Sequence, residues 1–162
     1  MEFAIYTISV KGFFSKHYEI YKDERLIYRV KKPSFFSFRE MYFHDTGGNE
    51  ILKIYRHASL FLIKYKFVIS QEGNSIATVE KAAFDNFYNS TSIYGNHTIQ
   101  GDFFNSEYTV FDDDDEIAKI SRKRFRSNHK YGIAIIKGNN ELYILAMVIA
   151  ISIVNGNRKN KT

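Results

Sequence analysis

The sequence predicts a mainly β protein: a closed antiparallel barrel of about 12 strands enclosing a central hydrophobic helix at its C-terminal end. Three observations carry that expectation. A two-strand unit recurs along the chain. Aromatic residues are abundant, with 15 Phe and 12 Tyr. A solid apolar run, Leu142-Tyr-Ile-Leu-Ala-Met-Val-Ile-Ala-Ile-Ser-Ile-Val154, follows the last unit. Aromatic and β-branched side chains favour pleated, half-buried surfaces, and the one proline, Pro33, leaves nearly the whole chain able to donate into sheet ladders.

The N-terminal stretch Phe3-Ala-Ile-Tyr-Thr-Ile-Ser-Val10 alternates and opens the fold as a strand. Its acidic Glu2 and lack of a basic leader or solid apolar block argue against a signal peptide. The first hairpin is Tyr18–Tyr21, turn 22–25 and Leu26–Val30, followed by Phe35-Phe36. The second is Met41–His44, turn 45–50 and Ile51–Ile54, followed by Leu60-Phe61. The third is Lys66–Ile69, turn 70–75 and Ile76–Val79, followed by Phe84. A fainter copy runs from Ser92-Ile-Tyr94 to Thr98–Phe104, and the last clear one is Tyr108–Phe111, turn 112–116 and Ile117–Ile120, followed by Phe125. Polar turns rich in Gly, Asn or Asp between short alternating runs are a hairpin signal. The second strands recur at Val30, Ile54, Val79, Ile99 and Ile120, and alternation such as Leu26–Val30 or Ile117–Ile120 puts one face in a core and the other in water.

A final strand is expected over Tyr131–Ile136, and a core helix over 141–154. Asn139-Asn140 supplies its N-cap, Glu141 suits the positive end of its dipole, and Asn155-Gly156 is a fitting stop. With no polar face, the helix must be enclosed on all sides. At ~1.5 Å per residue it rises about 21 Å, short of the ~30 Å of a bilayer core, so no transmembrane span is expected. A sheet of so many strands escapes open edges by closing, and a barrel that wide has room for a helix. Residues 1–154 thus form a single domain, and 155–162 a basic, flexible tail.

The chain has 162 residues and no cysteine, which removes disulfides, thiolate catalysis and Cys-based zinc sites. The lack of cysteine suits a cytoplasmic protein. Without export, the sequons Asn89-Ser-Thr91 and Asn96-His-Thr98 carry no glycan meaning and are read as turn residues. Of the net charge of +5, three positive charges sit on Arg158, Lys159 and Lys161 of the tail, leaving the body near +2. That body charge does not call for nucleic acid, and no nucleic-acid partner is expected.

The layout resembles the LURP-one-related family of the tubby C-terminal-like superfamily, which includes tubby proteins and phospholipid scramblases. The matching pieces are Tyr18–Val30, Ile99-Gln-Gly-Asp-Phe-Phe104, the hairpin from Tyr108–Phe111 to Ile117–Ser121, and the helix Leu145–Ile151. They stand in the family's order across residues 3 to 154. The resemblance implies a 12-stranded antiparallel barrel around a hydrophobic C-terminal helix. Tubby proteins bind phosphoinositides through basic side chains on the barrel, but no residue of this chain matches that site. Scramblases carry palmitoylated cysteines, which this chain lacks.

The segment Ser121-Arg-Lys-Arg-Phe-Arg-Ser-Asn-His-Lys130 concentrates positive charge. Read as a strand, it sets Arg122, Arg124 and Arg126 on one face, and together with Lys130 these could contact anionic phosphates. The plainer reading is a solvated outer face. Asp112-Asp-Asp-Asp-Glu116 lacks the alternation and glycine of a calcium loop and reads as a solvated turn. His17, His44, His57, His97 and His129 show no metal-ligand spacing, and Gly47-Gly48 and Gly73-Asn74 read as turns. No phosphate loop, dinucleotide fingerprint or nucleophile elbow occurs, so neither a catalytic residue nor a cofactor is expected. The aromatics Phe13-Phe14, Phe35-Phe36, Phe38, Phe84, Phe87 and Phe103-Phe104 are read chiefly as packing around the helix.

These residues support a non-enzymatic binding module, cytoplasmic or peripheral at the inner membrane surface, touching anionic phospholipid through the basic stretch. The alternative is a structural or protein-interaction scaffold without lipid binding. A small-ligand carrier would need a sizeable polar cavity beside the helix.

Overall fold

The computed structural model describes residues 1–12, 15–33, 39–57, 64–82, 84–126 and 129–156. Twelve strands follow one another as an antiparallel meander: β1 Phe3–Lys11, β2 His17–Lys22, β3 Arg25–Lys31, β4 Glu40–Asp45, β5 Glu50–His57, β6 Lys64–Gln71, β7 Asn74–Ala82, β8 Phe87–Ser92, β9 Gly95–Asp102, β10 Glu107–Asp112, β11 Asp115–Ser121 and β12 Lys130–Ile136. β1 pairs with β2 on one side (Ile8 opposite Ile20) and β12 on the other (Ile8 opposite Tyr131), which closes the barrel. Helix α1, Glu141–Gly156, fills it.

Alternation along the strands sends one set of side chains inward. Val30, Ile54, Val79, Ile99 and Ile120, which mark the recurring second strands, are all buried in the core around the helix. The hairpins β2–β3, β4–β5, β6–β7 and β10–β11, the four clear sequence copies, share a further feature. Each shifts register once, at Ile20/Tyr21, Phe43/His44, Ile69/Ser70 and Val110/Phe111. Such bulges add twist and bend, which helps a sheet to close. Two of the turns need left-handed backbone at both central residues, Asp23 and Glu24 in one and Glu72 and Gly73 in the other. That is the hairpin turn whose twist matches the strands.

The fainter copy falls elsewhere than the sequence predicts. Its first strand is Phe87–Ser92, and Ile93 and Tyr94 form the turn. The sequons are accordingly not turns: Asn89–Thr91 lies in β8 and Asn96–Thr98 in β9. The strand is hard to see because one of its inward residues is Ser90, so the expected apolar alternation fails.

Helix α1 is buried around its whole circumference from Tyr143 to Ile151. Asn140 caps it, its Oδ1 accepting from the Tyr143 N–H at 2.9 Å. It runs two residues past the expected end, through Gly156, while residues 157–162 of the basic tail lie outside the described residues. Its 16 residues rise about 24 Å, and no described helix is long and apolar enough to cross a membrane. Glu141, in its first turn, accepts a hydrogen bond from the Tyr6 hydroxyl and pairs with Lys22 at 3.3 Å. Burial first, and then that carboxylate, push the Tyr6 phenol up.

Because the chain meanders, the barrel has two unlike ends. At the turn end lie the five tight hairpin turns and the start of α1. At the loop end lie the longer connections, including 103–106 and 122–129, and the end of α1.

Candidate functional site

The basic segment belongs to the loop end. Strand β11 stops at Ser121, and Arg122–Phe125 forms a turn closed by the Phe125 N–H donating to the Arg122 carbonyl at 2.9 Å. The expected strand over 122–126 is therefore not formed, and its shared arginine face does not exist. Glu107, at the start of β10, is the cause. One carboxylate oxygen accepts from the Arg122 N–H at 2.7 Å, the Ser121 hydroxyl at 3.0 Å and the Lys123 N–H at 3.1 Å. Burial pushes the Glu107 carboxyl up, but these donors outweigh it and hold it below its usual range.

The turn separates the candidate residues. Arg122 is half-buried, donates from Nη2 to Ser106 Oγ at 3.3 Å, and keeps its Nε out of water without a partner. Arg124 and Arg126 are exposed on the connection, as is Lys123 between them and the barrel. Lys130 is exposed at the first position of β12, opposite Ser9. Residues 127 and 128 lie outside the described set. Arg122 and Lys123 also line an open recess of about 500 Å³ with Asn105, Glu107 and Phe125.

The aromatic residues at this end correct a second expectation. Phe103 packs, its ring edge-on to Tyr88 at 4.9 Å and beside Tyr108 at 5.1 Å. Phe84 is 96% exposed and Phe104 51% exposed, so neither is buried around the helix. Each follows a strand just where the sheet ends, beyond the reach of the core. Both line a recess of about 340 Å³ that the last turn of the helix closes with Val154. Phe13-Phe14, Phe35-Phe36 and Phe38 lie outside the described residues.

Charge is divided between the two ends. The tight turns carry Asp23, Glu24, Asp45, Glu72 and the run Asp112–Glu116. The loop end carries Lys11, Lys16, Lys31, Lys32, Arg39, Arg56 and the 122–130 segment. Three carboxylates near the loop end are engaged, Glu40 with Lys53 at 2.8 Å, Asp102 with Asn105 at 2.7 Å and Glu107 with backbone, while Asp85 lines the recess beside Phe84. A body charge near +2 therefore conceals an acidic end and a basic one, which the net value could not reveal.

One polar cluster escaped the sequence reading altogether. Tyr143, inside the apolar helix, places its hydroxyl 2.6 Å from Ser90 Oγ and 3.1 Å from His97 Nδ1. Ser90 and His97 are opposite one another on β8 and β9, and both are buried. The signal was present in the spacing, because His97 stands two residues before the inward Ile99. Among the described residues no three His, Asp or Glu side chains converge as a metal site would need.

No curated protein matches the chain. An Arabidopsis thaliana protein of known X-ray structure superimposes with a TM-score of 0.64 at 13% identity, over 94% of this chain and 92% of that one. At that identity the likeness is one of fold. The sequence profile of the LURP-one-related family matches residues 4–152, strand β1 through nearly the whole of α1. This chain belongs to the LURP-one-related family.

Proposed function

We propose that this protein is a non-enzymatic binding module whose loop end rests on an anionic phospholipid surface. The observation that carries the reading is the placement of exposed cations, Lys123, Arg124, Arg126 and Lys130, on the same end as exposed Phe84 and Phe104. Cations draw an anionic surface from a Debye length away, and aromatic rings gain by leaving water at its interface. The acidic turn end faces away in that orientation, so the separated charge orients the barrel as well as attracting it. The reading carries a location with it: cytoplasmic, peripheral at the inner membrane surface. No step of chemistry is required, and the helix fills the space in which a barrel would otherwise hold a substrate.

Vesicle flotation tests it. Recovery with phosphatidylcholine vesicles should be low, and it should rise with added phosphatidylserine and fall again with salt. Each Lys or Arg near such a surface is worth ~1 kcal/mol. Replacing Arg124, Arg126 and Lys130 by Gln should therefore weaken binding roughly a hundredfold while leaving the melting temperature unchanged. Recovery that ignores vesicle charge would overturn the reading. A protein-interaction scaffold is favoured by a different observation, the exposed Phe3 and Ile5 on the outer wall of β1. In that case partner capture would fail in a variant carrying Phe3→Ser and Ile5→Thr and survive the triple Gln change.

A further inference from the structure

A third recess lies at the turn end, remote from the basic connection. It holds about 430 Å³, within the range of small-molecule sites, and opens beside the first turn of α1. Its walls are Tyr94 from the β8–β9 turn, His97 from β9, Asp112 from β10, and Asn139, Asn140 and Tyr143 around the helix start. Protein interiors are close-packed and avoid polar groups that gain nothing. A recess of this size against a buried imidazole is therefore a departure to be explained.

The imidazole supplies the first clue. His97 is only 6% exposed, and its Nδ1 is committed to the Tyr143 hydroxyl. Its Nε2 takes no hydrogen bond among the described residues, although the ring lines the recess. If Nδ1–H donates to Tyr143 and Tyr143 donates to Ser90, Nε2 is left as an acceptor facing the recess. Burial holds His97 below its ordinary value, which keeps the ring neutral and able to accept.

The remaining walls agree on sign. Asp112 is the one formally charged residue of the lining, and it opens the acidic run that continues through Glu116. Asn139 gives its amide N–H to the Ile136 carbonyl at 2.9 Å, leaving its side-chain oxygen as an acceptor. The rings of Tyr94 and Tyr143 lie 5.3 Å apart, and Tyr94 is 41% exposed at the mouth. Aromatic faces attract cations. The N-terminus of a helix favours an anion, but here the Asn140 cap and Glu141 already meet that field. We infer that this recess binds a small organic cation bearing N–H donors, an alkylamine or guanidine, held between Asp112, His97 Nε2 and the Tyr94 ring.

Agmatine, which carries both groups, is the probe. Titrated into the full chain, it should move the amide signals of Tyr94, His97 and Gly138 and the His97 ring signals saturably, leaving those of 122–126 in place. Asp112→Asn is an exposed change and should weaken agmatine about tenfold, the loss of one charge-assisted contact. Tyr94→Leu removes the ring face at an exposed turn and provides a second variant that should also weaken it. Tetramethylammonium, charged but without N–H, should bind more weakly than agmatine, and sulfate should leave these signals unmoved. The inference is overturned by no saturable shift up to about 10 mM agmatine, by unchanged affinity in both variants, by tetramethylammonium binding as tightly, or by sulfate moving the same signals. Because the basic connection takes no part, each result stands whether or not the loop end binds lipid.

Discussion

Glu107 and His97 show how single buried or half-buried polar groups set the two ends of the barrel. Three donors converge on one Glu107 oxygen, and two of them are backbone N–H groups that a strand would have used in a ladder. A carboxylate accepting such bonds outcompetes the neutral alternative, so the arginines leave the sheet and enter a turn. His97 works in the opposite direction. Its burial disfavours the imidazolium, Asp112 pulls back only in part, and Tyr143, Ser90 and Tyr94 around it are neutral. The native state therefore resists a proton that the unfolded chain accepts near pH 6.5. Stability from this group is complete above that pH and is lost as pH falls from it toward the lowered native value. Glu107, Asp102, Glu40 and Asp45 are all held below the usual carboxylate range and stay charged across that window. The melting temperature should fall by a few degrees between pH 7.5 and 5.5, and His97→Gln should flatten that dependence. Equal slopes in the two proteins would show that another group is responsible.

At the scale of elements, the helix and its hairpins were legible for one reason: apolar residues recur with the period of the element. Leu145–Ile151 has no polar position on any face, and Val30, Ile54, Val79 and Ile120 mark strands whose inward positions are aliphatic or aromatic. Strand β8 was misplaced because its inward pair is Tyr88 and Ser90, and Ser90 is satisfied by a hydroxyl 53 residues away that no local pattern shows. The basic connection was misread for a related reason, since Glu107 stands 15 residues from the N–H it captures. Partners distant in sequence redirect elements without a local trace. The enclosure of α1 makes a sharp prediction. Ala146 has no exposed surface and sits between Leu145 and Met147, equally buried. A carboxylate there would have neither water nor partner, a cost of several kcal/mol in a chain whose whole stability is about 5–15 kcal/mol. Ala146→Asp should abolish the cooperative melt seen by circular dichroism, whereas Ala146→Ser should lower its midpoint without removing it. A wild-type midpoint in the Asp variant would mean that the helix is not enclosed.

The whole molecule depends on its first strand, because a meander closes only when its two ends meet. β1 is hydrogen-bonded on both sides, and it sends Ala4, Tyr6 and Ile8 into the core. Tyr6 also reaches Glu141, 135 residues away, so one strand ties the sheet to the start of the helix. Glu2 adds a rim contact, with Lys137 Nζ at 2.9 Å. Without β1, strands β2 and β12 become open edges with unpaired N–H and C=O groups, the usual template for association with other chains. Burying a side chain the size of Ile8 or Tyr6 is worth ~1.5–3 kcal/mol each, a large share of a marginal total. A chain beginning at Gly12 should therefore lose its cooperative melt and elute as aggregate on size exclusion. The gap has a defined shape, one strand wide with inward pockets at alternate positions, so a peptide of residues 1–11 should enter by strand addition. Supplied in excess during refolding, that peptide should restore a monomeric barrel with a cooperative melt, and the same peptide carrying Ile8→Asp should not. A truncated chain that stays monomeric and melts cooperatively by itself would show that the remaining eleven strands close without β1.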